Sequence, residues 1–149
     1  MNEEKKDFAL SRKSKGGLMR LWNAFRYTCA GFRAAFRHEH ACRQEIFLFV
    51  PLAVVVCLLP VDVFSKALLL LPMPLILGFE MLNSAVEAVV DDISLDYREL
   101  AKRAKDLGSA AVFCAMLVGV LVWVAVIHKN VVAGNFDAWA AALRGFFAK

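Results

Sequence analysis

Four polar side chains interrupt an otherwise apolar stretch at Glu80, Asn83, Glu87 and Asp91. At roughly 100° per residue on a helix they fall within an arc of about 80°, with Ser84 beside them. Glu80 and Glu87 are then two turns, or about 10 Å, apart along the axis. An acidic residue in a membrane helix costs about 2.5–3.5 kcal/mol on insertion scales. Two carboxylates and an amide on one face therefore need a compensating role. Three roles fit: interhelical polar contact, a proton or ion relay, and catalysis at the membrane edge.

Phosphoryl transfer suits these groups best. ATP arrives with Mg²⁺, a hard cation held by one or two carboxylates together with phosphate oxygens. A second carboxylate can take the proton from an attacking hydroxyl. The chain has no Gly-x-x-x-x-Gly-Lys-Ser/Thr loop and no protein-kinase motif set. A nucleotide site must therefore be built from helices. A basic face on the following segment could meet phosphates: on a helix Arg98, Lys102, Lys105 and Ser109 align, with Asp106 at the margin.

The elements that position these groups are legible from hydropathy. Hydrophobic residues make up 60% of the 149, more than a soluble domain of one-domain length needs. Apolar runs predict three transmembrane helices, over 46–59, 67–90 and 107–127. Pro72 and Pro74 should kink or locally unwind the second. The segment 60–66 reads as the link between the first two. Asp96 and Glu99, three residues apart, resemble a capping box opening the third helix. From Leu18 to Phe36 apolar residues recur at helical spacing, with Arg20, Arg26, Arg33 and Arg37 mostly off that face, as in a helix lying in the lipid interface. The expected fold is thus all-α: an N-terminal amphipathic surface helix and three spans. Residues 1–17 read as a flexible basic tail, 18–128 as the membrane domain and 129–149 as a C-terminal extension with a short amphipathic pattern at Phe136, Trp139, Ala142, Leu143 and Phe146.

Charge orients the spans. Of the 18 Lys and Arg, ten precede residue 44 and four lie between Arg98 and Lys105. Both groups fall on one side of the three spans, which should be cytoplasmic. The polar stripe then faces ATP. A basic arm beside long apolar runs points to an anionic membrane surface, not to nucleic acid. The cysteines (29, 42, 57 and 114) match neither a zinc site nor a disulfide framework and read as buried small hydrophobes. His38, Glu39 and His40 diverge on a helix and do not form a transition-metal site.

The run from Glu80 to Asp91, EMLNSAVEAVVD, resembles the E-x-x-N-[ST]-A-[IV]-E-x-x-V-D motif of the prokaryotic diacylglycerol kinase family. Segments 104–112, 31–36 and 43–45 match further family stretches in order, so the resemblance covers about residues 18–127. It implies a homotrimer of three-span subunits in the bacterial inner membrane, with the N-terminus cytoplasmic and active sites shared between subunits. It implies transfer of the ATP γ-phosphate to the hydroxyl of diacylglycerol, giving phosphatidic acid. By the same resemblance Glu80 is the general base, assisted by Asn83. Glu39 and Glu87 are the Mg²⁺ ligands and also touch the nucleotide. Arg20, Tyr27, Asp96, Tyr97, Arg98, Lys105 and Asp106 contact the nucleotide, and Arg20, Glu80 and Ser109 the lipid substrate. Undecaprenol kinases share the stripe and are the alternative within the class. A non-enzymatic proton or ion pathway, or an assembly subunit, is the alternative outside it.

Overall fold

The computed structural model describes residues 17–137, 139–141 and 144. The expected basic tail lies outside them, apart from Gly17, and so does much of the C-terminal amphipathic pattern. Every regular element among the described residues is helical. Five helices follow in order: α1 Gly17–His38, α2 His40–Leu58, α3 Val63–Leu70, α4 Pro72–Ile93 and α5 Glu99–Val132. The chain forms two compact units, Met1–Glu39 and His40–Lys149.

In the first unit α1 is one helix of 22 residues. Its large apolar side chains are exposed, whereas Ala35 is buried.

In the second unit three stretches are long and apolar enough to cross a membrane: His40–Leu58, Val63–Ile93 and Glu99–Val132. Each exceeds the span read from hydropathy. Hydropathy marks the part suited to lipid, while the backbone continues helical through charged residues that favour helix as well. Pro51 sits inside α2 without ending it.

Two local expectations are corrected. The link between the first two spans is shorter than 60–66, because Asp62 caps α3. It accepts from the Ser65 N–H at 3.0 Å and the Ser65 hydroxyl at 2.6 Å. The capping box at Asp96 does not form. Arg98 is the N-cap of α5, with no side-chain cap bond. Asp96 instead folds back on Ser94: its N–H donates to Ser94 Oγ at 3.0 Å, and that hydroxyl donates to Asp96 Oδ2 at 3.2 Å. The local turn satisfies the Asp96 side chain before the helix begins.

The paired prolines interrupt helix labelling only at Leu71, whose torsions stay helical at φ −57° and ψ −40°. Backbone unwinding is therefore absent at this point. Pro72 and Pro74 bring no N–H, so the carbonyls of Leu68 and Leu70 lose their donors four residues on. Beside them, Trp123 Nε1 on α5 donates to the Leu69 carbonyl at 2.9 Å. The adjacent core is Val56, Leu69, Met73 and Val126, joined by Leu52, Ala53 and Trp123. Gly119 lets α5 approach here. A Cβ on it would stand 3.1 Å from Pro72 Cβ and 3.2 Å from Ile76 Cδ1.

The cysteines also differ from expectation. Only Cys42 is buried, while Cys29, Cys57 and Cys114 are exposed on this chain. In a membrane an apolar side chain gains nothing by retreating from lipid into protein.

Opposite the stripe, a polar clamp joins the α2–α3 link to the end of α5. Asn130, fully buried, donates to Ser65 Oγ at 3.3 Å and to the Val126 carbonyl at 2.8 Å. Its own oxygen accepts from Asn135 at 2.7 Å. The Ser65 side-chain and backbone bonds, with a smaller contribution from Lys129, hold the Asp62 carboxyl down from 3.8 to about 2. A lowered folded-state value means the stabilisation is complete above the ordinary carboxylate range. It is lost as pH falls through about 2. Asp62→Ala therefore lowers the thermal midpoint in detergent at neutral pH. The gap from the parent closes as pH falls below the window, and a gap that persists there contradicts the cap.

Candidate active site

The stripe on α4 is organised from within. Asn83 Nδ2 donates to Glu87 Oε1 at 3.0 Å, a contact between residues one turn apart. Asn83 Oδ1 is buried without a hydrogen-bond partner. It faces Gly108 on α5, where an added Cβ would collide with it. Gly108 thus leaves the space that the Asn83 amide occupies while it is turned toward Glu87.

One turn beyond Glu87, Asp91 Oδ1 meets Lys105 Nζ at 2.6 Å, with both side chains partly exposed. This ion pair joins the stripe to the basic face of α5. Around it a cavity of about 240 Å³ collects Asp91, Ser94, Asp96, Tyr97, Arg98, Lys102, Lys105 and Asp106. Five of the expected nucleotide contacts, Asp96, Tyr97, Arg98, Lys105 and Asp106, therefore line one hollow. Arg98 Nη2 reaches the Val90 carbonyl at 3.4 Å. Lys102 pairs with Asp106 at 2.6 Å in the open, a pair of small energetic weight.

Glu80 stands half-buried two turns before Glu87. A residue given no role from the sequence faces it: Glu45 on α2, whose carboxylate repels that of Glu80. Glu45 Oε2 is buried without a hydrogen-bond partner. The available signal was an acidic residue directly before the first apolar run, inside the Arg43-Gln44-Glu45 match. Ser109 follows Gly108 on α5 and is exposed. Arg20, Tyr27 and Glu39 belong to the first unit, where Arg20 and Tyr27 are exposed and Glu39 is half-buried. Among the described residues no three of His, Cys, Asp and Glu converge as a metal cluster.

Residues 26–127 match the family model for prokaryotic diacylglycerol kinase. The chain belongs to that family. A diacylglycerol kinase of Escherichia coli is 45% identical over 107 residues, which is 72% of this chain and 88% of the relative. One of Pseudomonas aeruginosa is 46% identical over 115 residues, 77% of this chain and 94% of the relative. One of Helicobacter pylori is 35% identical over 117 residues, 78% and 91%. The diacylglycerol kinase match contains the whole stripe, the α4–α5 connector, Lys105, Asp106 and Ser109. Arg20 lies before it and the C-terminal extension after it. With its three apolar helices, the chain is a multi-pass membrane protein of a bacterial kinase family.

Proposed function

We propose that this protein is an ATP- and Mg²⁺-dependent lipid kinase of the bacterial inner membrane that phosphorylates diacylglycerol to phosphatidic acid. The observation that carries this reading is the Lys105–Asp91 ion pair. It sets a phosphate-binding cation beside a carboxylate stripe at the polar end of a membrane helix. The positive-charge bias supports a cytoplasmic setting for that end and for the N-terminus.

In this reading Glu80 accepts the proton of the lipid hydroxyl as its oxygen bonds to the γ-phosphorus. The bond from that phosphorus to the bridging oxygen breaks, and ADP leaves. Asn83 holds Glu87 by its amide and keeps the stripe in register for Glu80. Lys105 and Arg98 meet the phosphates, while Asp96, Tyr97 and Asp106 shape the nucleotide pocket. Arg20 and Tyr27 contribute from α1, and Ser109 and Arg20 contact the lipid. The donor set fits Mg²⁺: Glu87 offers a carboxylate oxygen oriented by an amide. Mg²⁺ takes few protein ligands beside phosphate and water, and Glu87 and Glu39 would hold it. When bound, it neutralises charge on the transferred phosphoryl group. A homotrimer with shared sites is part of the proposal, as membership of the prokaryotic diacylglycerol kinase family suggests.

The purified protein in mixed micelles is expected to transfer labelled phosphate from ATP to diacylglycerol faster than to undecaprenol or ceramide. A preference for undecaprenol transfers the assignment to the other branch of lipid alcohol kinases. Ion flux in proteoliposomes without any phosphoryl transfer overturns the enzyme reading.

A further inference from the structure

The first two spans are joined by a short link and run antiparallel, with one ridge of each facing the other. Val56 and Leu69 share a buried core with Met73, and Leu52 and Phe49 pack against it. From Val56 the ridge runs back along α2 through Leu52, Phe49 and Glu45, in steps of four, three and four. From Leu69 the opposing ridge runs forward through Met73, Ile76 and Glu80 in the same steps. It is continuous across Leu71, whose torsions stay helical. Equal steps give equal rise. Glu45 therefore comes level with Glu80, as Leu52 does with Met73.

The surroundings of Glu45 sharpen that placement. It lines a cavity of about 730 Å³ together with Phe49, Met73 and Ile76. The other ionisable residue of that lining, His128, stands toward the far end of α5. Glu45 Oε2 is buried without a hydrogen-bond partner, and the Glu80 carboxylate acts on it across the helix contact. A buried, charged oxygen that accepts no hydrogen bond is costly, and more so in a membrane helix. A carboxyl that keeps its proton avoids this cost, and its O–H needs an acceptor. The Glu80 carboxylate is an acceptor at the same level. Two facing carboxylates that cannot both stay charged share one proton.

We propose that Glu45 is a positioning residue for the phosphoryl transfer: as a protonated carboxyl it donates a hydrogen bond to the Glu80 carboxylate. The bond fixes one oxygen of Glu80 and leaves the other for the lipid hydroxyl. The proton of Glu45 stays on Glu45. The proton that moves is that of the hydroxyl, and Glu80 takes it. Hydrogen bonds to an ionised carboxylate are short and strong, and they strengthen where water is scarce. This inference rests on the reading of Glu80 as the base and adds the group that holds it.

The test uses the full chain in mixed micelles with ATP and diacylglycerol. Glu45→Met keeps the bulk but has no donor, and it should lower kcat by about 10²-fold with the KM for ATP unchanged. Glu45→Gln is neutral and its amide still donates, so its kcat should stay within about threefold of the parent. In the Glu80→Gln background Glu45→Met should cost nothing further, because it acts through Glu80. The infrared spectrum at neutral pH should contain a protonated-carboxyl stretch that Glu45→Gln removes. Equal losses in Glu45→Met and Glu45→Gln overturn the proposal, since the charge is then what matters. Parent turnover in Glu45→Met, an additive loss in the Glu80→Gln background, or a parent spectrum without that stretch overturns it too. A fall in thermal midpoint that accompanies the lost activity of Glu45→Met makes Glu45 a packing residue and has the same consequence. A parent without phosphoryl transfer, or normal turnover in Glu80→Gln, removes the reading of Glu80 and this inference with it. Those failures show before Glu45 is changed, so the two are told apart.

Discussion

Glu80→Gln lowers kcat by roughly 10²–10⁴-fold, the usual range for a positioned general base, and leaves ATP affinity nearly unchanged. Gln matches Glu in size and retains a hydrogen-bonding amide, but it cannot accept the hydroxyl proton. The variant also removes the repulsion with Glu45, so the fold is not expected to weaken. Glu87→Gln behaves differently. It keeps an oxygen to accept from Asn83 but loses the charge that meets the metal, so Mg²⁺-dependent ATP binding weakens with kcat falling alongside. Equilibrium binding of a non-hydrolysable ATP analogue, set beside initial rates, separates the two. Equal loss of binding in both variants removes the division of roles, and normal turnover in either removes the mechanism.

Gly108→Ala lowers turnover by about 10²-fold, the loss expected when a catalytic group moves by an ångström or so, without lowering the thermal midpoint. The new Cβ would occupy the place of Asn83 Oδ1. That atom ends a short, rotatable side chain, so the helix does not have to move. The amide swings instead and gives up its bond to Glu87. Alanine in mid-helix is meanwhile favoured over glycine by about 0.5–1 kcal/mol. Falling activity with unchanged or rising stability therefore distinguishes a displaced amide from a damaged core. A fall in both measures indicates that the helices have separated, and it contradicts the local account. Gly119→Ala is the useful contrast. Its Cβ meets Pro72 and Ile76, atoms that belong to the packed α4–α5 contact and cannot swing aside as freely, so stability is the quantity expected to respond.

The stripe was legible because helical geometry is local. Glu80, Asn83, Glu87 and Asp91 share a face through spacing alone, and Asn83 and Glu87 touch because they lie one turn apart. Hydropathy likewise revealed three spans, since lipid selects apolar side chains whatever their neighbours. Ends of elements were less legible. Asp96 has the spacing of a capping box, yet it is taken by Ser94. Asp62 fell inside the expected 60–66 link and became the cap of α3. In both places a side chain within three residues competed for the same backbone or hydroxyl group, and composition does not rank such neighbours.

By itself, then, the order of residues determined the all-α membrane architecture, the acidic face of α4 and the membership of a kinase family. Those follow from period, hydropathy and motif, which act over a few turns of chain. Only the tertiary structure decided what stands opposite that face. It brought Lys105 onto Asp91 and set Gly108 against the Asn83 oxygen. It also turned Glu45 toward Glu80, across separations in sequence of 14, 25 and 35 residues. Such pairings depend on how helices approach and rotate about one another, which small residues and side-chain volumes settle over the whole interface, so no local pattern announces them.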